Sequence, residues 1–291
     1  MRVKQALRSV IYRFIYTTLY LASLLPVTWI YRGGTLAFFL TYYIVRYRRE
    51  VVLQNVARSF PYKRYEEISI IIKKFYRSFI LHFADIIKAI SVSPEVLDKK
   101  IEFADFEQLD NIIESGQNVI ACLGHCGNWE MLHFMAYKIK HEIYAVYKPL
   151  SSGIMNRLMI KFRTRFGMKV ITDKSVIRHI ISKTSSRAVY LFLADQCPPV
   201  NEDNFRFRFL NQDTHFFSGM EKLACKSNSA VVYLHIKQIA KGRYRVTCKP
   251  VSSQVESASE GAITRKYVDL LEENIREEPG GWLWTHKRWK R

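Results

Sequence analysis

Residues 118–194 alternate between short apolar runs and longer amphipathic segments, and this alternation constrains the fold more than any other feature. The apolar runs NVIACL, IYAVYK, MKVIT and AVYLFLA have the length of strands. Helices are expected between them, near residues 128–140, 152–166 and 175–184. Such alternation is typical of a mainly parallel sheet covered by helices. The runs AVVYLHIKQI and RYRVTCKPV flank AKG and indicate a hairpin, and further helices are expected near 66–90 and 260–277.

The N-terminal region is apolar and bounded by cations. Residues 14–31 and 33–45 carry no charge except Arg32 between them, and basic residues flank both runs. Eighteen uncharged residues just reach the length of a membrane-spanning helix, but Pro26 interrupts them. A two-helix anchor lying in one leaflet and a buried helical hairpin of a soluble domain are the alternatives. We predict a membrane-anchoring helical segment over residues 1–45, which either spans or lies in the interface, and one α/β domain over residues 46–291.

The net charge of +19 predicts an anionic partner. Nucleic acid, an acidic membrane surface and a phosphorylated substrate all meet that description. Nucleic acid is disfavoured, because the sequence carries no recognised nucleic-acid-binding module and begins with the apolar segment. The five cysteines are scattered without CxxC spacing, which favours reduced thiols and a cytosolic face.

The stretch GHCGNWE, residues 124–130, follows the first of the buried strands. His125 and Glu130 would not share a face of one regular helix, but they can meet if the chain turns at Gly127 and a helix begins after Asn128. Parallel α/β sheets place their sites at the carboxyl ends of strands. A histidine backed by a carboxylate is suited to act as a general base, so we predict that Glu130 orients His125.

Other interpretations of this stretch are weaker. Cys126 next to His125 suggests a nucleophile, but adjacent side chains usually point apart. His125, Cys126 and His133 lack a recognised metal-ligand spacing. A capping histidine beside a structural glutamate is the alternative without chemistry.

The motif GHCGNWE resembles the GHxGNWE signature of the bacterial lipid A biosynthesis acyltransferases, the lauroyl and myristoyl transferase family. Further segments are similar to the family in the same order, and together they cover most of the chain. They are RYRREVVLQNVARSFP (46–61), VYKPL (146–150), NRLMIKFRTRFG (156–167), LADQ (193–196), FLNQDTHFFSGMEKLA (209–224) and WLWTHKRWK (282–290).

The resemblance implies an acyltransferase-type αβα domain that moves a fatty acyl chain from an acyl-carrier-protein thioester to a hydroxyl of a lipid A precursor. His125 would take the hydroxyl proton, Glu130 would support it, and either backbone N–H groups near Gly127 or a cation would stabilise the oxyanion. No metal or other cofactor is implied. The enzyme would act at the bacterial inner membrane with its catalytic domain on the cytoplasmic side.

Five further residues are predicted to bind substrate. Arg163, and second to it Arg165, would contact a phosphate or sugar of the acceptor, since arginine offers bidentate contacts. Asp195 at a strand end would hold a cation or an acceptor hydroxyl, or cap the turn there. The set is completed by Asn128 and by Lys148, which stands where the family often has arginine.

Residues 197–209 are less similar to the family and leave the acyl chain and the acceptor undetermined. An enzyme of the same mechanism acting on an amino-acid lipid or a glycolipid, and a non-catalytic protein of the membrane surface, are the alternatives.

Overall fold

A mainly parallel sheet forms the centre of the molecule. The structure, a computed structural model, describes residues 2–182, 187–200, 204–255 and 257–290. The strands are β1 (Ile101–Ala104), β2 (Val119–Leu123), β3 (Glu142–Tyr147), β4 (Lys169–Thr172), β5 (Ala188–Leu193), β6 (Asn204–Phe209), β7 (Gln212–Phe217), β8 (Ala230–Ala240) and β9 (Arg243–Ser252). Within the described ranges, seven of them form one sheet in the order β1-β9-β8-β2-β5-β3-β4. All neighbours run parallel except β8 and β9, which form the expected hairpin. The predicted α/β class with a mainly parallel sheet is confirmed.

Helices cover the sheet and precede it. They are α1 (Arg2–Leu24), α2 (Val27–Phe39), α3 (Arg49–Ser59), α4 (Tyr65–Ala89), α5 (Pro94–Asp98), α6 (Glu107–Glu114), α7 (Met135–Lys138), α8 (Gly153–Arg163), α9 (Asp173–Ser182), α10 (Gly219–Ser227) and α11 (Ala262–Glu277). A π-helical segment, Leu40–Val45, extends α2, and 3₁₀ turns cover Trp129–Phe134, Thr164–Phe166 and Pro279–Gly281. The end of the helix predicted over residues 175–184 lies outside the described residues.

Both faces of strand β2 are packed in the core, because every one of its residues is buried. Ile120 and Cys122 belong to the apolar cluster on one side of the sheet, and Val119, Ala121 and Leu123 belong to the cluster on the other. A fully buried strand of a parallel sheet reads as a continuous apolar run, which is what VIACL shows.

The segment predicted as one helix near residues 128–140 is instead a 3₁₀ turn followed by the short α7. The His133 ring is hydrogen-bonded through Nδ1 to the carbonyl oxygen of Glu130, at 2.8 Å. An α-helix would offer that carbonyl to the N–H of Phe134, so the side chain competes with α-helical bonding there. The residue pattern alone does not reveal this competition.

The hairpin of β6 and β7 was not predicted. Leu210 and Asn211, which connect the two strands, both have positive φ, 46° and 63°. Such a two-residue connection is usually signalled by Asn-Gly or Asp-Gly. The pair Leu-Asn gives no comparable signal.

The N-terminal segment packs against the α/β domain. Asp85 of α4 accepts hydrogen bonds from the hydroxyls of Tyr31 on α2 and Tyr244 on β9, at 2.6 and 2.7 Å. Lys88 donates to the carbonyl oxygens of Ser23 and Leu25 at the end of α1. These contacts tie both N-terminal helices to α4.

Many apolar side chains of the N-terminal segment nevertheless face outward. Phe14, Trp29 and Ile44 are exposed by 72%, 61% and 72%. Within the described residues, neither helix alone has the length and apolar character to cross a membrane. Residues Gln5–Leu24 and Val27–Val45 have that length and apolar character only when they are taken together, as a pair of helices bent by 117°. The division into an anchor over residues 1–45 and a domain over 46–291 stays a prediction.

Candidate active site

His125 and Asp195 meet at the carboxyl end of the sheet because β2 and β5 are parallel neighbours. Leu123 pairs with Leu193 in the strand register, and each functional residue follows its strand by two positions. The Asp195 carboxylate lies 2.6 Å from Nδ1 of His125 through Oδ1, and its Oδ2 accepts the backbone N–H of His125 at 2.8 Å. Asp195 is 3% exposed. The carboxylate therefore holds both the backbone and the ring of His125.

The charge of Asp195 is stabilised in its buried position. Burial by itself would raise the pKa of Asp195, but the charge of His125 and the hydrogen bonds from His125 and Trp282 lower it from 3.8 to about 2. An ionised Oδ1 can only accept a hydrogen bond. In the neutral ring of His125, Nδ1 therefore carries the hydrogen and Nε2 carries the lone pair. Nε2 lies 3.4 Å from the side-chain amide nitrogen of Gln196. The geometry leaves Nε2 as the atom able to take a proton.

Two glycines in the motif allow this close approach. A Cβ at Gly124 would lie 2.3 Å from a side-chain carbon of Leu271 and 3.4 Å from Oδ2 of Asp195. Gly127 has φ +54°, and a Cβ there would lie 2.7 Å from Ile236. Residues with side chains would push the motif loop away from the sheet end or strain its backbone.

The C-terminal segment, residues 281–289, closes over the motif loop. The backbone N–H of Leu283 donates to the carbonyl oxygen of His125, and that of Gly127 donates to Gly281, at 3.1 and 3.0 Å. The indole N–H of Trp282 donates to Oδ2 of Asp195 at 2.7 Å. Because the N–H of Gly127 is bonded to Gly281, it is not available among the oxyanion donors predicted near Gly127.

Residues after the π-helical segment fasten this C-terminal segment. The amide nitrogen of Asn55 donates to the carbonyl oxygens of Trp284 and His286, at 2.8 and 2.9 Å. Arg48 donates to the carbonyl oxygen of Thr285 at 3.0 Å. The segment RYRREVVLQN thus contacts the C-terminal segment, which in turn contacts the motif loop and Asp195.

Glu130 does not take the position expected for it. Its carboxylate accepts Nε and Nη2 of Arg163, at 2.9 and 2.5 Å, and the indole N–H of Trp129 at 3.3 Å. Asp195 occupies the place beside Nδ1 of His125 that was predicted for Glu130. The sheet brings the carboxyl ends of β2 and β5 together. Glu130 lies instead in the 3₁₀ turn and faces the end of α8. That Glu130 is catalytic stays a prediction.

Arg163 and Arg165 have protein partners of their own. Burial alone would lower the pKa of Arg163, but the hydrogen bonds to Glu130 and its charge raise it, so the guanidinium is charged. Arg165 donates to the carbonyl oxygens of Ala89 and Val92 at the end of α4, where cations stabilise exposed carbonyls. Contact of either arginine with the acceptor stays a prediction.

The other predicted residues lie around the site. Asn128 precedes the 3₁₀ turn, and its amide donates to the carbonyl oxygen of His82 at 3.3 Å. Lys148 is exposed just beyond β3, the strand next to β5. Cys126 is buried, and burial raises the pKa of its thiol well above the usual value, which opposes a thiolate nucleophile.

An apolar cavity of about 810 Å³ lies next to the site. Its wall includes Trp129, whose ring centroid is 4.7 Å from that of His125, and His286 of the C-terminal segment. Burial lowers the pKa of His286 to about 4, so this ring is neutral near pH 7. The remaining wall is mostly apolar and comes from α1, α4 and α8, including Tyr16, Leu19, Phe79, Phe83, Leu158, Met159 and Phe162.

Sequence reasoning missed the contact of Trp282 with Asp195, although it noted WLWTHKRWK. The motif and the C-terminal segment are far apart in the chain, and no pattern in either predicts that they pair. The signal for Asp195 was present, because both it and His125 follow apolar strands of one parallel sheet.

A family model described as bacterial lipid A biosynthesis acyltransferase matches residues 2–291. The chain belongs to this family. No curated protein matches the sequence at a significant level. Family membership confirms the resemblance seen in GHCGNWE and the segments after it, and it makes the chain an acyltransferase of lipid A biosynthesis with a lipid A-type acceptor.

Proposed function

We propose that this acyltransferase moves a fatty acyl chain from an acyl-carrier-protein thioester to a hydroxyl of a lipid A precursor, with His125 as general base. The observation that carries the proposal is the buried His125–Asp195 pair beside a large apolar cavity. A base next to a polar acceptor and an apolar chain site next to the base are what O-acylation of a lipid requires.

Nε2 of His125 takes the proton of the acceptor hydroxyl as its oxygen attacks the thioester carbonyl carbon. The tetrahedral intermediate collapses, the carbon–sulfur bond breaks, and the imidazolium returns its proton to the leaving thiolate. Products are the new ester and the free carrier thiol. Asp195 stabilises the imidazolium, as a carboxylate on the far ring nitrogen does in acyl-transfer sites.

Gln196 is the group we propose for the oxyanion. Its amide nitrogen lies 3.4 Å from Nε2 of His125, so its N–H groups are beside the atoms that react. A side-chain amide is a known type of oxyanion donor. An entering hydroxyl would take its place at Nε2 and leave the amide free to face the carbonyl oxygen.

The cavity is the proposed site of the acyl chain. Its volume falls in the range of ligand pockets, and α1, α4 and α8 supply apolar side chains along it. Leu19 of α1 belongs to the wall, so the N-terminal segment would contact the chain as well as any membrane. We propose that the exposed Lys148, just beyond β3, contacts an acceptor phosphate through its charge.

We further propose that the enzyme acts on the cytoplasmic face of the inner membrane. The outward apolar side chains of the N-terminal segment and its flanking arginines suit an interface of acyl chains and phosphates. Phe14→Glu should reduce recovery of the protein with membranes in cell fractionation. Phe217→Glu, also at an exposed aromatic position but on β7, is the control and should leave recovery unchanged.

The test is an assay of the purified full chain in detergent with several acyl-carrier-protein thioesters and a Kdo-bearing lipid A precursor, read by mass spectrometry. A mass gain of one acyl chain is expected, with loss of the gain in His125→Ala. His141→Ala, a half-buried histidine near the surface that pairs with Asp110, is the control and should stay active. Transfer to another lipid from the same extract, but not to lipid A, would replace the acceptor. Undiminished activity of His125→Ala would refute the mechanism.

A further inference from the structure

The carboxylate of Asp195 is held by three hydrogen-bond donors, and one of them comes from the C-terminal segment. Oδ1 lies 2.6 Å from Nδ1 of His125. Oδ2 accepts both the backbone N–H of His125 at 2.8 Å and the indole N–H of Trp282 at 2.7 Å. The two oxygens therefore have different partners, and rotation of the carboxylate would break contacts on both.

Trp282 is held in this contact by burial and by the backbone bonds around it. It is 2% exposed, and Cys126 pairs with it in an isolated antiparallel bridge between the motif loop and the C-terminal segment. The backbone bonds of Leu283 to His125 and of Gly127 to Gly281 lie on either side. The indole N–H thus reaches the carboxylate from a backbone that is itself bonded to the motif.

We propose that Trp282 is a positioning residue, whose indole N–H fixes Oδ2 of Asp195 so that Oδ1 remains aligned with Nδ1 of His125. The proposal rests on the proposed role of His125 as general base. Partners of a catalytic histidine's carboxylate act by keeping the ring in one tautomer and orientation. A base displaced from its reactive geometry loses rate without losing substrate affinity.

The matched pair of variants is Trp282→Phe and Trp284→Phe. Trp284 is equally buried, but its indole N–H donates to the carbonyl oxygen of Pro279 and not to Asp195. Both variants remove one buried indole donor from the same segment, so both should lose similar stability. Only Trp282→Phe removes a donor from the carboxylate.

Trp282→Phe should lower kcat about tenfold to a hundredfold, the loss expected for one hydrogen bond to a charged group, with KM for the acyl-carrier-protein thioester changed less than about twofold. Trp284→Phe should keep kcat within about twofold of the wild type. Trp282→His retains a ring N–H and should recover part of the lost kcat. If Trp282→Phe does not fold, Trp282→Tyr is measured in its place.

A second readout does not depend on activity. The Nδ1 proton of a histidine bonded to a carboxylate gives a far-downfield proton NMR signal, which His125→Ala assigns by its loss. We expect this signal to move or broaden in Trp282→Phe and to stay in place in Trp284→Phe.

The two readouts separate the possible failures. An active wild type with equal kcat and an unmoved signal in both tryptophan variants would overturn the positioning role and leave the proposed function standing. A wild type without acyl transfer, whose downfield signal still responds to Trp282→Phe alone, would overturn the proposed function and leave the positioning of the pair.

Discussion

Asp195→Asn tests the tautomer argument more directly than removal of the histidine. Oδ2 faces two N–H donors, from the His125 backbone and the Trp282 indole, so an asparagine must place its oxygen there. Its NH₂ group then occupies the place of Oδ1, opposite Nδ1 of His125. The amide donates to Nδ1, the ring hydrogen moves to Nε2, and Nε2 no longer accepts a proton.

The loss of the base should cost most of the histidine's contribution. We expect kcat to fall about 10³-fold to 10⁴-fold, or about 4 to 5.5 kcal/mol of transition-state stabilisation. The size and shape of the side chain are retained, so KM should change little. Asp269→Asn is the control, because this aspartate is exposed on α11 and pairs with Arg265.

The assay is the initial rate of acyl transfer by variants with equal circular dichroism spectra, measured at saturating thioester. If folded Asp195→Asn retains more than a tenth of the wild-type kcat, Asp195 does not set the tautomer of His125. The role of His125 as general base would then require another partner.

Three further predictions concern the cavity, the ion pair and the buried carboxylate. Leu19→Trp, which narrows the cavity, should shift the preference toward shorter acyl chains by about tenfold, whereas Leu21→Trp on the exposed side of α1 should not; competing thioesters read by mass spectrometry decide this. Arg163→Ala and Glu130→Ala should each cost about 3 kcal/mol in urea unfolding, and the double variant should cost less than their sum, since either single change leaves a largely buried charge unpaired; strictly additive losses would show that the pair is uncoupled. The pKa of Asp195 is lowered in the folded state, so its contribution to stability, about 2 kcal/mol, is present above pH 4 and is lost as the pH falls toward 2. In Asp195→Asn the unfolding free energy should therefore fall less steeply with decreasing pH over this range. An equal pH dependence in both proteins would contradict the assignment.

The C-terminal segment contacts several of the segments that are similar to the family. Asn55 and Arg48 hold its backbone, its backbone pairs with the loop of GHCGNWE, and Trp282 reaches Asp195 of LADQ. Three segments that are far apart in the sequence, those of His125, Asp195 and Trp282, thus meet at one carboxylate, and the segment of Arg48 and Asn55 holds the third of them. Truncation of residues 282–290 would therefore affect the site directly.

Much of the fold followed from the sequence because its signals are local. The run VIACL predicts a buried strand, and the alternation of such runs with amphipathic segments predicts a parallel sheet. Both predictions use only residues that are close together in the chain. Where β6 and β7 turn through Leu210 and Asn211, the local signal is weak, and the hairpin was missed. The 3₁₀ turn Trp129–Phe134 replaces the first part of the expected helix, and the His133 ring bonds the Glu130 carbonyl there, a contact that no periodicity shows.

The sequence by itself determined the family, the α/β class and the histidine at a strand end, since each depends on residues close together in the chain. Only the tertiary structure decided which carboxylate serves that histidine. Spacing suggested Glu130, but the order of strands in the sheet brings Asp195 to Nδ1 of His125 and leaves Glu130 to Arg163. The physical reason is that a hydrogen bond depends on which strands are neighbours, and strand neighbours are set by the packing of the whole domain.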